Sequence, residues 1–444
     1  MKNAWPWLSA ILLLTVIACS DSADKSDPGD EDAAGEADSE SEPADGDEDV
    51  IAEGEGDSEP LERETPEEEL TDSDSADVIE EETDGDEDAA ENDADLASEQ
   101  EEAEAPEAEE DVEPEDPNTA TVVVFDRARI GSNPAGPNFQ SLAADIDFSG
   151  GPFANVRLVV DLDTTCYPFS SWQGNPPPQG QNWPADCDAF DRNFEFTLDD
   201  PQTEGDPPAL ELVRAITPFG GPLHFEADIT DAANGLPGAH RLRAFISTWS
   251  DASGQVTGSN GGWFVSAKLK LLPGPPPRQV LAVLPLYNGG YGASTGTLAV
   301  PFSLPEGATS ARVEYRATGH GGAQGSPLFC IGPAEEFCRR RHEAAFDGGE
   351  AILLRPWRDD CTTLCTEAHY GSPTGGFDYC LENPCGAMAS VRAPRANWCP
   401  GSVTPPFFLD PPLVAGEHEL TLTIPDVAEG GSWRISLAAF IFGE

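Results

Sequence analysis

The chain has 444 residues and a formal net charge of −60. An excess of acid on that scale leaves no basic stripe to neutralise a phosphate backbone, which excludes a nucleic-acid-binding role. The charge is also uneven: 47 of the 83 acidic residues and only 3 of the 23 basic ones fall within residues 1–117, so a strongly acidic segment precedes a more balanced body large enough for two domains.

Met1 to Ala18 carries one cation, Lys2, then an acid-free apolar run from Trp5, and ends in Val16-Ile17-Ala18-Cys19. The run is too short to span a bilayer, and small residues before a cysteine are what a lipoprotein signal peptidase reads. Residues 1–18 therefore resemble a bacterial lipoprotein signal peptide, which implies that Cys19 becomes a lipidated N-terminus tied to a membrane. Ser20 stands where an Asp would retain the protein in the inner membrane, so the expected location is the outer membrane, and the long acidic tether favours display at the cell surface. Residues 19–117 consist mainly of Asp, Glu, Ala, Ser, Pro and Gly. Such a segment cannot bury enough apolar surface to offset the entropy of ordering it, and it reads as a disordered linker. As a flexible coil it spans on the order of 50 Å. Within it, Asp72-Ser73-Asp74-Ser75-Ala76-Asp77 lacks the turn glycine of a calcium loop.

From Asn118 the pattern changes to short alternating runs cut by Gly, Pro, Asn and Asp. Thr121–Phe125, Val156–Leu162, Phe194–Leu198, Leu223–Ile229, Arg241–Trp249 and Trp263–Leu272 read as strands. Pro273-Gly274-Pro275-Pro276-Pro277 removes ladder donors and stiffens the chain, which sets a domain boundary. Val280–Leu286, Thr297–Leu304, Ala311–Ala317, Ala351–Leu354, Glu419–Ile424 and Trp433–Phe442 continue the pattern. The expectation is an all-β chain with two adjacent antiparallel sandwich domains, 118–273 and 274–444, after the signal (1–18) and linker (19–117).

Nine cysteines follow Cys19, all between Cys166 and Cys399. In an exported chain they read as disulfide partners, and an odd number leaves at least one outside an internal pair. Cys361 with Cys365, or Cys380 with Cys385, has the spacing of a zinc half-site, but disulfide bonding is the stronger reading in this compartment. The six histidines are scattered, with no His-x-His and no His-Glu-x-x-His, and no metal or cofactor is expected. A copper site would want clustered His and Met, and the chain has two Met in all. No Gly-x-Ser-x-Gly elbow occurs, and Gly319-His320-Gly321-Gly322 lies between β runs rather than before a helix. What remains is carboxylates in aromatic and arginine company: Asp191-Arg192, Ser247-Thr248-Trp249, Glu335-Glu336-Phe337-Cys338, and Arg395-Ala396-Asn397-Trp398-Cys399-Pro400-Gly401.

Those stretches resemble the peptide-N-glycosidase F family, amidases that release N-linked glycans from asparagine. The seven residues Arg395–Gly401 are the most specific match. Thr318-Gly319-His320-Gly321, Cys330 with Glu336-Phe337-Cys338, Cys187-Asp188-Ala189-Phe190-Asp191-Arg192, Arg214-Ala215-Ile216-Thr217-Pro218-Phe219 and Val283-Leu284-Pro285-Leu286-Tyr287-Asn288 agree with it. The resemblance covers residues 119–444 and implies two eight-stranded jelly rolls with a cleft between them. It implies that Asp191 is the catalytic carboxylate, Arg395 the cation that holds it or its water, and Glu336 the second acid. It further implies that Arg192, Ser247, Trp249, His320 and Trp398 line the substrate pocket, and that Cys166–Cys187, Cys330–Cys338 and Cys361–Cys399 are disulfides. The chemistry suits these types: amide hydrolysis needs an aimed, activated water and a proton for the departing glycosylamine. The implied partners are N-linked glycoproteins or glycopeptides.

Three departures stand out. Ser247 occupies the place of a third family acid, so a non-catalytic glycan-binding or structural surface lipoprotein on the same fold is the alternative reading. Pro168–Asp186 lengthens the loop before Asp191, and Ile331–Glu335 widens the ring closed by Cys330 and Cys338. The run Arg339-Arg340-Arg341 reads as solvated surface.

Overall fold

The computed structural model describes residues 116–179, 182–249, 261–321, 329–372 and 375–444. The signal peptide, Cys19 and all but the last residues of the acidic linker lie outside these.

Eight strands precede the proline cluster: β1 (Ala120–Gly131), β2 (Ser141–Asp147), β3 (Phe153–Asp163), β4 (Asn193–Leu198), β5 (Leu210–Ile216), β6 (Leu223–Asp228), β7 (Ala239–Ile246) and β8 (Gly262–Pro273). They pair antiparallel into two sheets, ordered β1-β8-β3-β6 and β5-β4-β7-β2. Eleven follow: β9 (Val280–Gly292), β10 (Leu298–Leu304), β11 (Ser310–His320), β12 (His342–Phe346), β13 (Ile352–Leu354), β14 (Glu367–Ser372), β15 (Gly375–Cys380), β16 (Ser402–Thr404), β17 (Phe407–Leu409), β18 (Gly416–Thr423) and β19 (Ser432–Phe442). Eight of these form a second pair of sheets, β10-β18-β12-β13 and β17-β11-β19-β9. Of the rest, β14 and β15 make a separate hairpin, and β16 adds itself to the β5 edge of the first sandwich. The fold is thus all-β, two adjacent antiparallel eight-stranded sandwiches. Only two short α-helices occur among the described residues, α1 (Thr230–Gly235) and α2 (Met388–Arg392).

Each sandwich is filled from its inner faces, the first around Trp263, Phe194 and Phe196 and the second around Trp433, Tyr315 and Ile435. The first core continues into the second sandwich through Val283, Ala438, Phe440 and Phe442, so the two halves share an apolar seam. Beside that seam the contact is ionic. Arg214 on β5 forms a fork with Glu211 (2.8 and 2.7 Å) and donates across to the Arg434 carbonyl (2.6 Å) and the Thr318 hydroxyl (3.1 Å). Arg434 on β19 returns a fork to Glu195 on β4 (2.9 and 2.7 Å). Arg316 on β11 donates to the Leu212 carbonyl at 3.0 Å. Burial alone would raise the Glu211 carboxyl, but Arg214, Arg316 and Arg434 outweigh it and hold it below the ordinary range. Ion pairs this deep contribute little net stability, because desolvation offsets attraction. Their effect is on register, since any slip between the sandwiches would strand a buried charge.

The structure contains the three expected disulfides and adds Cys365–Cys380, which leaves Cys385 as a buried thiol. The arginine run departs from expectation. Arg340 is 2 % exposed and forks onto the fully buried Glu335 (2.7 and 2.8 Å), while Arg341 stays outside and pairs with Glu343. A buried carboxylate needs a partner beside it, and Arg340 is that partner.

Candidate active site

The first half of the site is the loop Cys187–Arg192, held at both ends. Cys187 is tied to Cys166, and the backbone N–H of Arg192 donates to the Thr217 hydroxyl (2.8 Å) while the Arg192 carbonyl accepts from the Thr217 N–H (2.9 Å). Within the loop, Asp188 is fully buried and accepts from the Arg192 guanidinium at 3.3 Å and from the Phe190 N–H at 3.2 Å. Its other oxygen, Oδ2, has the buried Trp263 indole beside it but no hydrogen bond of ordinary geometry, and burial pushes the carboxyl up from its ordinary value despite the Arg192 charge. Arg192 itself is 6 % exposed, with its guanidinium 4.9 Å from the centre of the Phe190 ring and 5.2 Å from that of Trp249. It is thus taken up in fixing the loop. The side chain left partly open is Asp191, at 14 %.

The second half is the stretch Arg395–Gly401, in which nearly every residue has a local task. Ala396 N–H donates to the Glu336 carbonyl (2.7 Å), and its own carbonyl accepts from Gly319 N–H (3.1 Å). Asn397, at φ 69°, donates from its side chain to the Ala317 carbonyl (2.8 Å), and the Trp398 indole donates to the Gly319 carbonyl (2.8 Å). Cys399 is bonded to Cys361, and Gly401 N–H reaches the Ile216 carbonyl of β5 at 3.1 Å. Gly319 permits this approach, because a Cβ there would lie 2.7 Å from that of Ala396. The motif is therefore a splice that fastens Arg395 to β11 of the second sandwich and to β5 of the first.

Arg395 is 1 % exposed and stands between the two acids. Its Nη1 donates to Glu336 at 3.0 Å, and its Nη2 lies 4.0 Å from Asp191. Nη2 also donates to the carbonyl and hydroxyl of Ser390 on α2, both at 2.9 Å. The guanidinium is flanked by the Phe337 ring (4.9 Å) and the Trp398 ring (4.5 Å). Glu336, on the short turn Glu335–Phe337, keeps 24 % of its side chain accessible. Trp398, at 2 % exposed, lies against the Arg395 guanidinium and stacks on His320 at 5.3 Å. His320 bonds through Nε2 to the Thr318 hydroxyl (2.8 Å); burial, with Arg214, Arg395 and Arg434 nearby, lowers its pKa to about 3. It is therefore a neutral hydrogen-bonding group near pH 7. Ser247 follows β7 and is held by its N–H to the Asn193 carbonyl (3.2 Å); Trp249, two residues on, covers Arg192. The structure brings Asp191, Glu336 and Arg395 together and sets Arg192 and Trp398 behind them. Ser390 and Phe337 join the cluster as well. Phe337 lies inside one of the family-like motifs, whereas nothing in the sequence marks Ser390.

Two groups of potential metal ligands occur among the described residues, Cys166 with Cys187 and Cys385, and Asp360 with Cys361 and Cys399. Each contains a disulfide, whose sulfurs are not thiolates, so neither donor set fits an ion. The arrangement that remains, two partly accessible carboxylates on one buried guanidinium between two jelly rolls, defines a paired-jelly-roll protein with an acid-arginine-acid centre. Residues 287–439 match the family model described as Peptide-N-glycosidase F, C terminal. Over those residues the second sandwich matches the C-terminal domain of that family. No curated protein matches the sequence. Among solved structures, a crystal form of PNGF-II is similar over 74 % of this chain and 66 % of that one, at 20 % identity and a TM-score of 0.56. PNGase F, a glycosylasparaginase from Flavobacterium meningosepticum, is similar over 73 % of this chain and 96 % of its own, at 19 % identity and a TM-score of 0.54. A peptide-N(4)-(N-acetyl-beta-D-glucosaminyl) asparagine amidase gives 17 % identity and the same TM-score over the same shares. The chain thus spans about two thirds of PNGF-II, and likeness at these identities establishes the fold.

Proposed function

We propose that the protein is an amidase that hydrolyses the bond between an asparagine side chain and the first N-acetylglucosamine of an N-linked glycan. The observation that carries this reading is Arg395, buried and shared between Asp191 and Glu336 at 4.0 and 3.0 Å. A carboxylate beside a fixed cation stays ionised and can take a proton from water aimed at the amide carbonyl; the carboxyl so formed can then hand that proton to the leaving glycosylamine, directly or by way of the second acid, Glu336. Substrates in this reading are N-linked glycoproteins or glycopeptides outside the cytoplasm, met by an enzyme held to the outer membrane by a lipid on Cys19.

The test is to incubate the full chain with a denatured N-glycoprotein and follow free glycan and conversion of Asn to Asp by mass spectrometry. Both products are expected, and Asp191→Asn is expected to remove them. Absence of conversion across the accessible pH range sinks the reading. Ser247 motivates the second reading, a glycan-binding surface lipoprotein without turnover, because a hydroxyl cannot replace a carboxylate in acid-base work. Glycan binding by the unmutated chain without any Asn-to-Asp conversion would select it.

A further inference from the structure

Aromatic side chains also gather where the catalytic reading makes no use of them. The turn Tyr167–Trp172, inside the loop closed by Cys166–Cys187, and the β14-β15 hairpin, bound at its base by Cys365–Cys380, lean on each other ring to ring. Phe169 is the keystone. It is 3 % exposed, and its ring lies 4.9 Å from Tyr370, 5.5 Å from Phe377, 5.1 Å from Tyr379 and 5.2 Å from Trp172. Tyr370 and Phe377 are register partners across the hairpin, 5.8 Å apart, and remain 38 % and 46 % exposed.

We propose that Tyr370 and Phe377 form a stacking platform for the outer, uncharged hexose residues of the same oligosaccharide whose reducing end enters the Asp191 cleft; the inference rests on the glycan-directed reading above. Three observations support that occupant. A pyranose offers a face of C–H groups that packs on aromatic rings, and these two rings are braced from beneath by Phe169 and by disulfides, so little freedom is lost on binding. The platform hangs from the segments that build the cleft. One side leads through Cys187 into Asp191. The other leads through Asn383, whose side chain accepts from Phe219 N–H (2.9 Å) just beyond β5, into α2, where Ser390 holds Arg395. Finally, the hairpin's carboxylates Asp378 and Glu367 are paired with His369 and Arg392, so the platform presents little unpaired charge and an uncharged arm is the complementary ligand.

The full chain carrying Asp191→Asn, which does not consume its ligand, is titrated calorimetrically with chitobiose and with a mannose-rich oligosaccharide ending in chitobiose. The longer sugar is expected to bind about ten-fold or more tightly, and adding Tyr370→Leu with Phe377→Leu is expected to erase that gain while leaving chitobiose binding unchanged. Leucine keeps apolar bulk against Phe169 and removes the ring faces; peptide mapping of Cys365–Cys380 and an unchanged Tm confirm the fold. Equal affinities, a gain that survives leucine, or self-association abolished by the leucines would overturn the proposal, the last marking the patch as a contact between copies. Glycan release by the unmutated chain with no preference for length removes the platform and leaves the amidase. Length-dependent binding through the two rings, with no release, does the reverse.

Discussion

The two segments that meet at Arg395 come from different sandwiches, yet each keeps one acid for its own anchorage and presents another. In the first, Asp188 is fully buried against Arg192, and Asp191 is turned outward. In the second, Glu335 is fully buried against Arg340, and Glu336 is turned outward. The anchors differ in completeness. Glu335 accepts a fork from Arg340, the Trp433 indole (2.9 Å) and the Ala428 N–H (3.1 Å). Asp188 has one oxygen that the neighbouring Trp263 indole does not reach with ordinary hydrogen-bond geometry, and burial raises its pKa. An arginine close in sequence to an acid is therefore a poor guide to its chemistry. Arg192 and Arg340 are consumed in holding loops, and the distant Arg395 is the one shared by the presented acids.

The strongest way to break this comparison is to remove what both segments share. Arg395→Lys keeps a charge but cannot reach Glu336, Asp191 and Ser390 from one planar fork. Amidase turnover, measured as kcat/KM on a defined glycopeptide, should fall by about 100-fold or more. Retention of turnover within a few-fold would show that charge alone suffices and that the fork geometry is incidental.

Neighbouring glutamates separate anchorage from presentation next. Glu335→Gln leaves Arg340 buried without its counter-ion and should cost about 3–5 kcal/mol in urea unfolding. Glu336→Gln, partly accessible, should leave stability nearly unchanged and lower turnover by about 100-fold or more. If both substitutions lowered stability alike, the division between anchor and presented acid would be wrong. The incompletely satisfied anchor gives a smaller effect. Asp188→Asn retains an acceptor for Phe190 N–H and removes a charge that burial already disfavours, so its cost should stay below about 2 kcal/mol.

Much of this arrangement is legible in the amino-acid sequence, though for two different reasons. Strands such as β6 and β8 show period two because one face meets solvent and the other the core. β5 hides from that test, since all of Leu210–Ile216 is buried; one face enters the first core and the other places Glu211 and Arg214 in the seam between the sandwiches. Asp191, Glu336 and Arg395 stand out through motif resemblance, because nothing local distinguishes them from Asp188, Glu335 or Arg340. Which acid is presented depends on contacts between residues far apart in the chain. Ser390 is invisible in the sequence for the same reason, as its carbonyl matters only because α2 turns it toward Arg395. The fourth disulfide cannot be assigned from sequence either, because Cys365, Cys380 and Cys385 allow several pairings.

The smallest expected effect distinguishes the two anchors by pH. Beneath the second, His342 is fully buried, packs edge-on to Trp433 at 4.3 Å and bonds through Nδ1 to the Tyr315 hydroxyl at 2.6 Å. Burial lowers its pKa to about 3. A histidine kept neutral by the fold contributes stability that is complete above its unfolded value near 6.5 and is lost as pH falls, because the unfolded chain takes up the proton first. Moving from neutral pH to about 5.5 should therefore cost about 1.3 kcal/mol through His342 alone. Asp188 acts oppositely. Its raised carboxyl contributes most below about 3.8, the unfolded value, and less as pH rises through its folded value. Urea unfolding at both pH values, compared between the unmutated chain and His342→Gln, isolates the first contribution, since the other titrating groups are common to both. Equal acid losses in the two proteins would mean that His342 takes up its proton in the folded state, and that the packing of Trp433 over Glu335 tolerates a charge beneath it.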